Sequence, residues 1–562
     1  MMNILHDTFV YLVLIPVLLG AAIIIKLGFF RKQVKGGDGL NILHVYPRFP
    51  RNTFWGFWYV LSYIGKKAVF PPLSLLTVAG MIRDLRPDWN QKLVDLNVRR
   101  KISKKDLKWA DLVMVSAMIV QEEGEQGVKD ILKECKKYGV PVAAGGALFT
   151  NQETETEDID YLILGEAEIT LPSFLDDWDK GEPRHRYEYD SKTPKPSLRL
   201  TPIPYWGLIN FKYYATMLVQ FSRGCPRKCH FCDIWKLYGL KPRLKSDAQM
   251  IREFQALYDA GWRGTIFVVD DNFIGNKVRV KRFLWFLYEW MIWHNYPFKL
   301  FTEADISLAK DMVLMQLMSW TNFIRVFLGI ESPAKEAIRS CKKKQNEDVD
   351  YAEATRLIHS YGMMVMTGHI VGIDGERAYE ERTGKDIFAA QSECIDKMRS
   401  MWAMIGIMTA LPKTDLWEEL RKAGRLLRGS DGNNADSVNF APEMNKDRLI
   451  KGYHSLVLKT YSAKNYYRRA AAFLDDYNYT AKGQLTWRGF KDNARAFVMS
   501  WWRIGFWRRD GYYYISLFVR TLRKRQFSKL PMVVELAITR RHHYKIAKIM
   551  ARSYARQSRQ AA

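Results

Sequence analysis

Three cysteines stand close together in residues 222–235, which read SRGCPRKCHFCDIW. Cys225, Cys229 and Cys232 are half of the six cysteines in this 562-residue chain, and the other three are far apart. Three thiolates at such short spacing suit an iron–sulfur cluster or another thiophilic metal. Zinc would need a fourth ligand, and His230, between two of the cysteines, is awkwardly placed to complete a tetrahedral site. The loop is therefore predicted to hold a metal centre.

Six apolar segments, each followed by a helical pattern, surround this loop in the sequence. They occupy residues 215–222, 264–271, 298–306, 324–331, 364–373 and 404–411. Repeated strand and helix patterns of this kind predict an open or partial barrel of six βα units, with its chemistry at the carboxyl ends of the strands. The cysteine loop follows the first segment, which is where a barrel would place an active site.

Polar residues stand at the ends of the next three segments. Asp270 and Asp271 end the second and Asn272 follows it, Glu303 lies near the end of the third, and Glu331 ends the fourth. These side chains are candidate ligand contacts, and the structural alternative is that the carboxylates cap helices or form local salt bridges.

The region before the barrel has a shorter period. Apolar strands at 41–47, 92–98, 112–118, 140–146 and 161–167 alternate with helical patterns. This alternation predicts an α/β domain with a doubly wound parallel sheet, whose ligands bind beyond the carboxyl ends of the strands. The polar segment 181–204 reads as a linker.

The N-terminus carries an uncharged apolar run, FVYLVLIPVLLGAAIII, at residues 9–25. With the residues that follow it reaches the roughly 20 residues that a membrane span needs. Lys26, Arg31, Lys32 and Lys35 follow the run, which predicts a single span with the N-terminus outside and the catalytic domains in the cytoplasm. No basic region precedes the run, so a signal peptide fits less well. The remaining alternative is an apolar helix packed on the fold.

The formal charge of +26 is concentrated near the C-terminus. Residues 468–562 contain 21 Lys and Arg against 5 Asp and Glu, and strands give way to basic, aromatic helices from about residue 431. Such composition is typical of helices that lie on anionic lipid. A nucleic-acid surface has the same composition, as does an ordinary solvated helical face.

The motif CPRKCHFC resembles the C-x3-C-x2-C signature of radical S-adenosylmethionine (SAM) enzymes. The resemblance implies that Cys225, Cys229 and Cys232 hold a [4Fe–4S] cluster with one iron open to SAM. It also implies cleavage of SAM to a 5′-deoxyadenosyl radical. In FVVDDNFIGN, Asp270, Asp271 and Asn272 match the motif that receives the SAM amino group, and Glu303 and Glu331 resemble SAM-contacting acids.

The N-terminal unit resembles the cobalamin-binding domain that precedes many such barrels. Ser116, Met118, Gly145 and Gly146 stand where that domain has a Ser-x-Leu turn and a Gly-Gly pair, and small residues there would let the backbone approach a corrin. The Asp-x-His-x-x-Gly motif, which supplies an axial histidine in some cobalamin proteins, is missing. The domain could also be a Rossmann-like scaffold without cobalamin.

The resemblance is most specific to cobalamin-dependent radical SAM proteins related to hopanoid C-methylases, over roughly residues 41–545. Stretches such as YPRFPRNTFWGF, WADLVMVSAMIVQ and GWRGTIFVVDDNFIGN carry it. It implies C-methylation of an unactivated carbon of a hopanoid or other isoprenoid membrane lipid, with the methyl group supplied by cobalamin. A reducing partner such as flavodoxin or ferredoxin is also implied. The alternatives are radical cross-linking, cyclisation or rearrangement of a lipid, and a non-catalytic cofactor sensor that binds nucleic acid.

The predicted organisation has five parts. They are a membrane anchor and linker at 1–40, a Rossmann-like cobalamin-binding domain at 41–180, a linker at 181–212, a partial (β/α)6 radical SAM barrel at 213–430 and a basic helical region at 431–562. Cys135, Cys341 and Cys394 are isolated, so a second cluster is not predicted. No catalytic acid or base is assigned from the sequence.

Overall fold

The computed structural model describes residues 39–51, 53–54, 56–122, 124–151, 158–190, 192–430, 438–479, 482–483, 486–506 and 510–561. The predicted membrane span at residues 9–25 lies outside this set. Within the set, no helix is both long and apolar enough to cross a bilayer.

The strands follow one another along the chain as β1 (Asn41–Tyr46), β2 (Asn90–Asp95), β3 (Leu112–Ser116), β4 (Val142–Gly145), β5 (Tyr161–Ile163), β6 (Arg186–Tyr187), β7 (Thr216–Val219), β8 (Ser222–Arg223), β9 (Arg243–Leu244), β10 (Thr265–Val268), β11 (Lys299–Ala304), β12 (Phe323–Glu331), β13 (Met364–Val371) and β14 (Trp402–Ile407).

The helices are α1 (Trp58–Ile64), α2 (Leu73–Leu85), α3 (Lys104–Trp109), α4 (Val128–Tyr138), α5 (Ala147–Asn151), α6 (Ala167–Asp179), α7 (Ile234–Tyr238), α8 (Asp247–Asp259), α9 (Lys277–Trp293), α10 (Met312–Trp320), α11 (Lys335–Ser340), α12 (Tyr351–Ser360), α13 (Glu376–Thr383), α14 (Ile387–Lys397), α15 (Asp415–Lys422), α16 (Lys446–Thr460), α17 (Ala463–Asp476), α18 (Trp487–Ser500), α19 (Gly511–Arg523) and α20 (Leu530–Ala561).

The described residues form two compact units. The first contains residues up to Arg48, Met81–Ala117 and Glu122–Thr193. Its sheet is parallel throughout, in the order β2-β1-β3-β4-β5-β6. The doubly wound parallel sheet predicted from the sequence is thereby confirmed. The strand order reverses between β1 and β3, and the carboxyl edge at such a switch point is where open α/β sheets bind ligands.

The segment predicted as a linker contributes an edge strand to this sheet. At β6, the carbonyls of Tyr187 and of His185, which precedes the strand, accept hydrogen bonds from the N–H groups of Leu164 and Leu162, at 2.8 and 2.7 Å. A two-residue strand is too short to give a period-2 signal in the sequence, so only the pairing reveals it.

The second unit contains Phe49–Gly80, Met118–Gln121 and Pro194–Ala562. Its larger sheet is parallel, in the order β14-β13-β12-β11-β10-β7. Each predicted strand is present in its predicted place along the chain, which confirms the partial (β/α)6 barrel. Five of the six predicted segments extend two to four residues past the observed carboxyl ends of their strands, and β12 ends where it was predicted to end, at Glu331.

The two faces of the barrel strands differ in burial. Ile266, Leu300 and Val326 point toward the surrounding helices and are fully buried. On the other face, Phe267 stacks on Phe301 with ring centroids 4.4 Å apart, and these inward residues are only partly buried. Side chains alternate along a strand, so Glu303, two residues after Phe301, also faces the barrel interior.

The C-terminal helices α16–α20 are attached to the barrel by buried polar contacts. The hydroxyl of Tyr461 donates to the carbonyl of Ala403 in β14 at 2.7 Å, and Arg325 of β12 donates to Glu535 of α20 at 2.6 Å. The predicted helical character of this region is confirmed, and one helical face forms part of the core of the second unit.

Candidate active site

The cysteine loop is held in place by its own backbone. Gly224 has φ +96°, and a Cβ there would lie 2.8 Å from the carbonyl oxygen of Gly239. The N–H of His230 donates to the carbonyl of Cys341 at 3.0 Å, and the carbonyl of His230 accepts from the N–H of Leu416 at 3.0 Å. The loop is therefore fixed between residues that follow β12 and β14.

The three thiols are surrounded by N–H donors. Asn272 Nδ2 lies 3.6 Å from the Sγ of Cys225, and Gln345 Nε2 lies 3.7 Å from the Sγ of Cys229. Backbone N–H groups of Arg227 and Ile234 donate to Cys225 and Cys232. Donors to sulfur stabilise thiolate ligands of iron–sulfur clusters.

Burial raises the pKa of the Cys225 and Cys232 thiols, which favours their protonated form in the metal-free protein. Binding of a metal then displaces these protons. Within the described part of the chain, no three His, Cys, Asp or Glu side chains converge on a point that could hold one metal ion. A cubane has a different requirement, because each thiolate binds a separate iron. The donor set of Cys225, Cys229 and Cys232 fits such a cluster.

Both carboxylate oxygens of Asp270 accept hydrogen bonds from other residues of the protein. Its Oδ1 accepts from the N–H of Phe221 at 2.7 Å, and its Oδ2 accepts from the hydroxyl of Ser222 at 2.5 Å. Burial raises the pKa of this carboxyl to about 7, although both hydrogen bonds favour the ionised form. Asp270 thus ties the end of β10 to the residues that lead into the cysteine loop.

Asn272 belongs to a polar chain that ends at a cysteine. Its Nδ2 lies 3.0 Å from Asp305 Oδ2, and the same oxygen accepts from Arg227 Nε at 2.9 Å. Asn272 therefore connects the Cys225 thiol to a carboxylate that also fixes the cysteine loop. Asp305 and Arg227 were not identified from the sequence, although Asp305 lies only two residues after Glu303.

Asp271 and Glu303 are near each other in the barrel interior. Burial, and after it the charge of Asp233, raise the pKa of Asp271 to about 7. The pKa of Glu303 is raised to about 8, by burial and then by the charge of Asp271. No side-chain donor among the described residues reaches Glu303, so this acid is available to a cationic ligand.

Glu331 forms a buried ion pair with Lys343. Glu331 has φ +63°, and its carbonyl accepts from Gln391 Nε2 at 2.7 Å. Asn346 Nδ2 donates to the carbonyls of Gly329 and Ile330, each at 3.0 Å. These bonds hold the left-handed end of β12 in place. Lys343 was missed because it stands in a basic run, KKK, that gives no signal of burial.

Glycines line part of the barrel interior. A Cβ on Gly368 would lie 2.9 Å from Phe327 Cζ, whereas a Cβ on Gly406 would meet no atom within 4 Å. The wall formed by β13 and β14 therefore leaves room beside the inward faces of the strands.

In the first unit, Ser116 and Gly145 are register partners at the carboxyl edge of the sheet. A Cβ on Gly145 would lie 2.6 Å from the carbonyl of Ile163, and one on Gly146, which has φ +96°, would lie 2.8 Å from Ser116 Oγ. Packing alone thus requires both glycines. Together with Ser116 they place only small residues at the carboxyl edge of β3 and β4, the edge at which open α/β sheets bind ligands, and this fits a cofactor site. Met118 is half exposed and groups with the second unit.

Three family models match the chain. They are the B12 binding domain at residues 66–175, the radical SAM superfamily at 219–387, and a domain of unknown function, DUF4070, at 414–556. The first two matches agree with the Rossmann-like sheet and the barrel described above.

Curated relatives extend these matches over most of the chain. An uncharacterized methyltransferase of Synechocystis sp. is 40% identical over 436 residues, which are 76% of this chain and 78% of that protein. The hopanoid C-2 methylase of Rhodopseudomonas palustris is 31% identical over 441 residues, 78% of this chain and 80% of that protein.

A solved structure shares the fold. The cobalamin-dependent SAM radical enzyme OxsB with aqua-cobalamin bound aligns with a TM-score of 0.55 and 14% identity, over 92% of this chain and 81% of that one. At this identity the likeness concerns the fold alone.

Proposed function

Because the chain belongs to the family of cobalamin-binding radical SAM proteins that includes the hopanoid C-2 methylase, we propose that it methylates an unactivated carbon of a hopanoid or another isoprenoid membrane lipid. It is an enzyme of the radical SAM, cobalamin-dependent methyltransferase type, and its cofactors are a [4Fe–4S] cluster, SAM and cobalamin. When bound, the cluster and SAM supply a 5′-deoxyadenosyl radical, and cobalamin supplies the methyl group. The similarity to the hopanoid C-2 methylase, which covers 78% of this chain, is the observation that carries the choice of substrate class.

We assign the cluster to Cys225, Cys229 and Cys232 on the basis of their N–H donors. Asn272 supports the assignment because it contacts the Cys225 sulfur and Asp305 together.

SAM carries an ammonium and a sulfonium, and an acid without a protein partner suits such a cation. Glu303 and Asp271 are the proposed contacts for these groups. Glu331 is proposed to contribute to the same site while it remains paired with Lys343. Asp270 is proposed to position the cysteine loop and not to contact SAM.

Cobalamin is proposed to lie at the carboxyl edge of the first sheet, beside Ser116, Gly145 and Gly146. The small residues at this edge and the match of the B12 binding domain model to residues 66–175 support the assignment. The proposed domain boundaries are those given by the sequence, except that the first domain extends past residue 180 to include β6.

A lipid substrate also gives a role to the apolar segment at residues 9–25. We propose that it anchors the protein in the membrane with the catalytic domains on the cytoplasmic side, because cations follow the segment. A flavodoxin or ferredoxin is the proposed electron donor.

The test of the chemistry uses the reconstituted full chain. Wild type is expected to convert SAM to 5′-deoxyadenosine, and Cys225→Ala is expected to lose both cluster iron and this activity. Cys394→Ala is the matched control, because that cysteine is remote in sequence and contacts Met398, and it should keep both. Normal SAM cleavage by Cys225→Ala would refute the cluster assignment.

The outcome of the radical step needs a second measurement. Cells that express the protein are fed methyl-labelled methionine, and their lipids are compared with those of cells without it by mass spectrometry. Methylation places the label in an isoprenoid lipid that gains the mass of one CH₂. A lipid that changes without gaining label would show cross-linking, cyclisation or rearrangement instead.

A further inference from the structure

Helix α18 and the π-helical turn at Trp501–Phe506 that extends it expose an apolar face to solvent. Five aromatic side chains on this face are between 40% and 70% exposed: Trp487, Phe490, Phe497, Trp502 and Phe506. Their spacing of three, seven, five and four residues keeps them on one side of a helical segment. Monomeric proteins rarely leave a contiguous apolar surface of this kind uncovered.

Cations lie along this face. Lys491, Arg495 and Arg503 are exposed, and the acid in this stretch, Asp492, pairs with Lys66 at 3.1 Å. Arg503 Nη1 donates to the hydroxyl of Ser62 in α1 at 3.2 Å. The face therefore combines exposed aromatic rings with an excess of positive charge.

A cavity of about 570 Å³ opens beside Trp502. Its lining contains the cations Arg503, Arg541 and Lys545, together with aromatic rings and no acid. Lys545 Nζ lies 3.8 Å from the ring centroid of Tyr59. A concave site with cations and aromatic walls suits an anionic group attached to an apolar body.

We propose that this face docks the protein on an anionic lipid bilayer, with a lipid head group in the cavity. Tryptophan, phenylalanine and basic side chains on one helical face are the combination that binds at the interface of anionic membranes. A second copy of the chain fits less well, because a two-fold interface would place the same cations opposite one another. A nucleic acid would use the cations but not the apolar stripe.

This surface is separate from the barrel interior, so the inference does not depend on methyl transfer. It also differs from the proposed N-terminal anchor, since it places a particular face of the catalytic unit on the lipid. The lipid substrate of the proposed reaction would then be within the layer that the protein touches.

The test measures hydrogen–deuterium exchange of the full chain on vesicles. Exchange is followed segment by segment, so protection of this face is distinguished from insertion of residues 9–25. Amides in residues 486–506 are expected to exchange more slowly on vesicles of phosphatidylcholine with phosphatidylglycerol than on phosphatidylcholine alone. The lipid concentration that gives half-maximal protection reports affinity.

The variant Lys491→Glu with Arg503→Glu should raise that concentration by more than roughly 25-fold, because each basic charge near an anionic surface contributes a factor of about five. The matched control, Lys385→Glu with Lys451→Glu, makes the same change in charge at exposed sites elsewhere in the second unit and should bind like wild type. Trp487→Ser with Phe490→Ser tests the apolar part, and it should weaken protection without changing the thermal unfolding temperature.

Equal exchange on both kinds of vesicle would overturn the proposal. So would protection of the face in lipid-free solution that grows with protein concentration, which would indicate a dimer, or protection by RNA alone. SAM cleavage is measured on the same preparations in detergent, and a loss of docking with normal cleavage separates this inference from the proposed reaction.

Discussion

Asp270 offers a direct test of whether a carboxylate in the barrel holds the cysteine loop or contacts SAM. In the structure, both of its oxygens accept hydrogen bonds from Phe221 and Ser222, which are buried. Replacing Asp270 by alanine removes both acceptors. Replacing it by asparagine keeps an oxygen for the Phe221 N–H and supplies an NH₂ group that can donate to the Ser222 hydroxyl oxygen.

The size of the effect follows from burial. A buried donor left without an acceptor costs about 1–3 kcal/mol, and each lost hydrogen bond contributes about 1 kcal/mol. Asp270→Ala should therefore lower the free energy of unfolding by about 2–4 kcal/mol. Asp270→Asn should cost less than about 1 kcal/mol, because it also removes a carboxyl that is expensive to ionise in this buried place.

Three measurements separate the two roles: the thermal unfolding temperature, iron and sulfide bound per chain, and the rate of 5′-deoxyadenosine formation. If Asp270 positions the loop, Asp270→Ala loses stability and iron together, and Asp270→Asn keeps all three properties near the wild-type values. An Asp270→Asn protein that keeps its stability and iron but no longer cleaves SAM would refute this reasoning, because the carboxylate itself would then be needed by SAM.

Two further predictions concern ionisable groups in the barrel. The pKa of Glu303 is raised from 4.5 to about 8 in the folded protein, so the folded state holds a proton that the unfolded state has lost, and wild-type stability falls as pH rises across that window. Relative to wild type, Glu303→Gln should therefore show no gain below about pH 4.5 and the full gain above about pH 8, in unfolding curves of the cluster-free protein; a difference independent of pH would contradict the assignment. Lys343→Met should destabilise the protein by about 3–5 kcal/mol because it leaves the buried Glu331 without its partner, whereas Lys343→Met with Glu331→Gln should recover most of the loss in urea unfolding. If the loss of unfolding free energy in the double variant equals the sum of the losses in the two single variants, Lys343 and Glu331 do not act as a pair.

The sequence predicted the strands of both sheets because these depend on local patterns. Short apolar segments followed by helical patterns define parallel strands, and each one of the predicted segments overlaps an observed strand. β6 was not predicted, because a strand of two residues is too short to show the alternation of apolar and polar residues that marks a strand. The predicted membrane span at residues 9–25 stays a prediction.

The contacts around the cysteines were only partly predictable. Asn272 was found because it follows a predicted strand. Its contact with Asp305 joins residues 33 positions apart, and the contact of Asp305 with Arg227 joins residues 78 positions apart. Gln345 lies 116 residues from the cysteine that it contacts. Such pairs leave no local pattern, because they are set by the order in which strands and loops meet at the barrel edge.

The sequence by itself determined the chemistry that this protein can perform. Cys225, Cys229 and Cys232 lie within eight positions, so their spacing fixes a three-thiolate loop before any long-range contact forms. Only the tertiary structure decided which carboxylates remain free for a ligand. Asp270 and Asp271 are neighbours in the chain, but packing turned Asp270 toward Phe221 and Ser222 and left Asp271 close enough to Glu303 for its charge to raise the pKa of that acid. The partners of Asp270 lie 49 and 48 residues away along the chain, so only the folded barrel brings them to it.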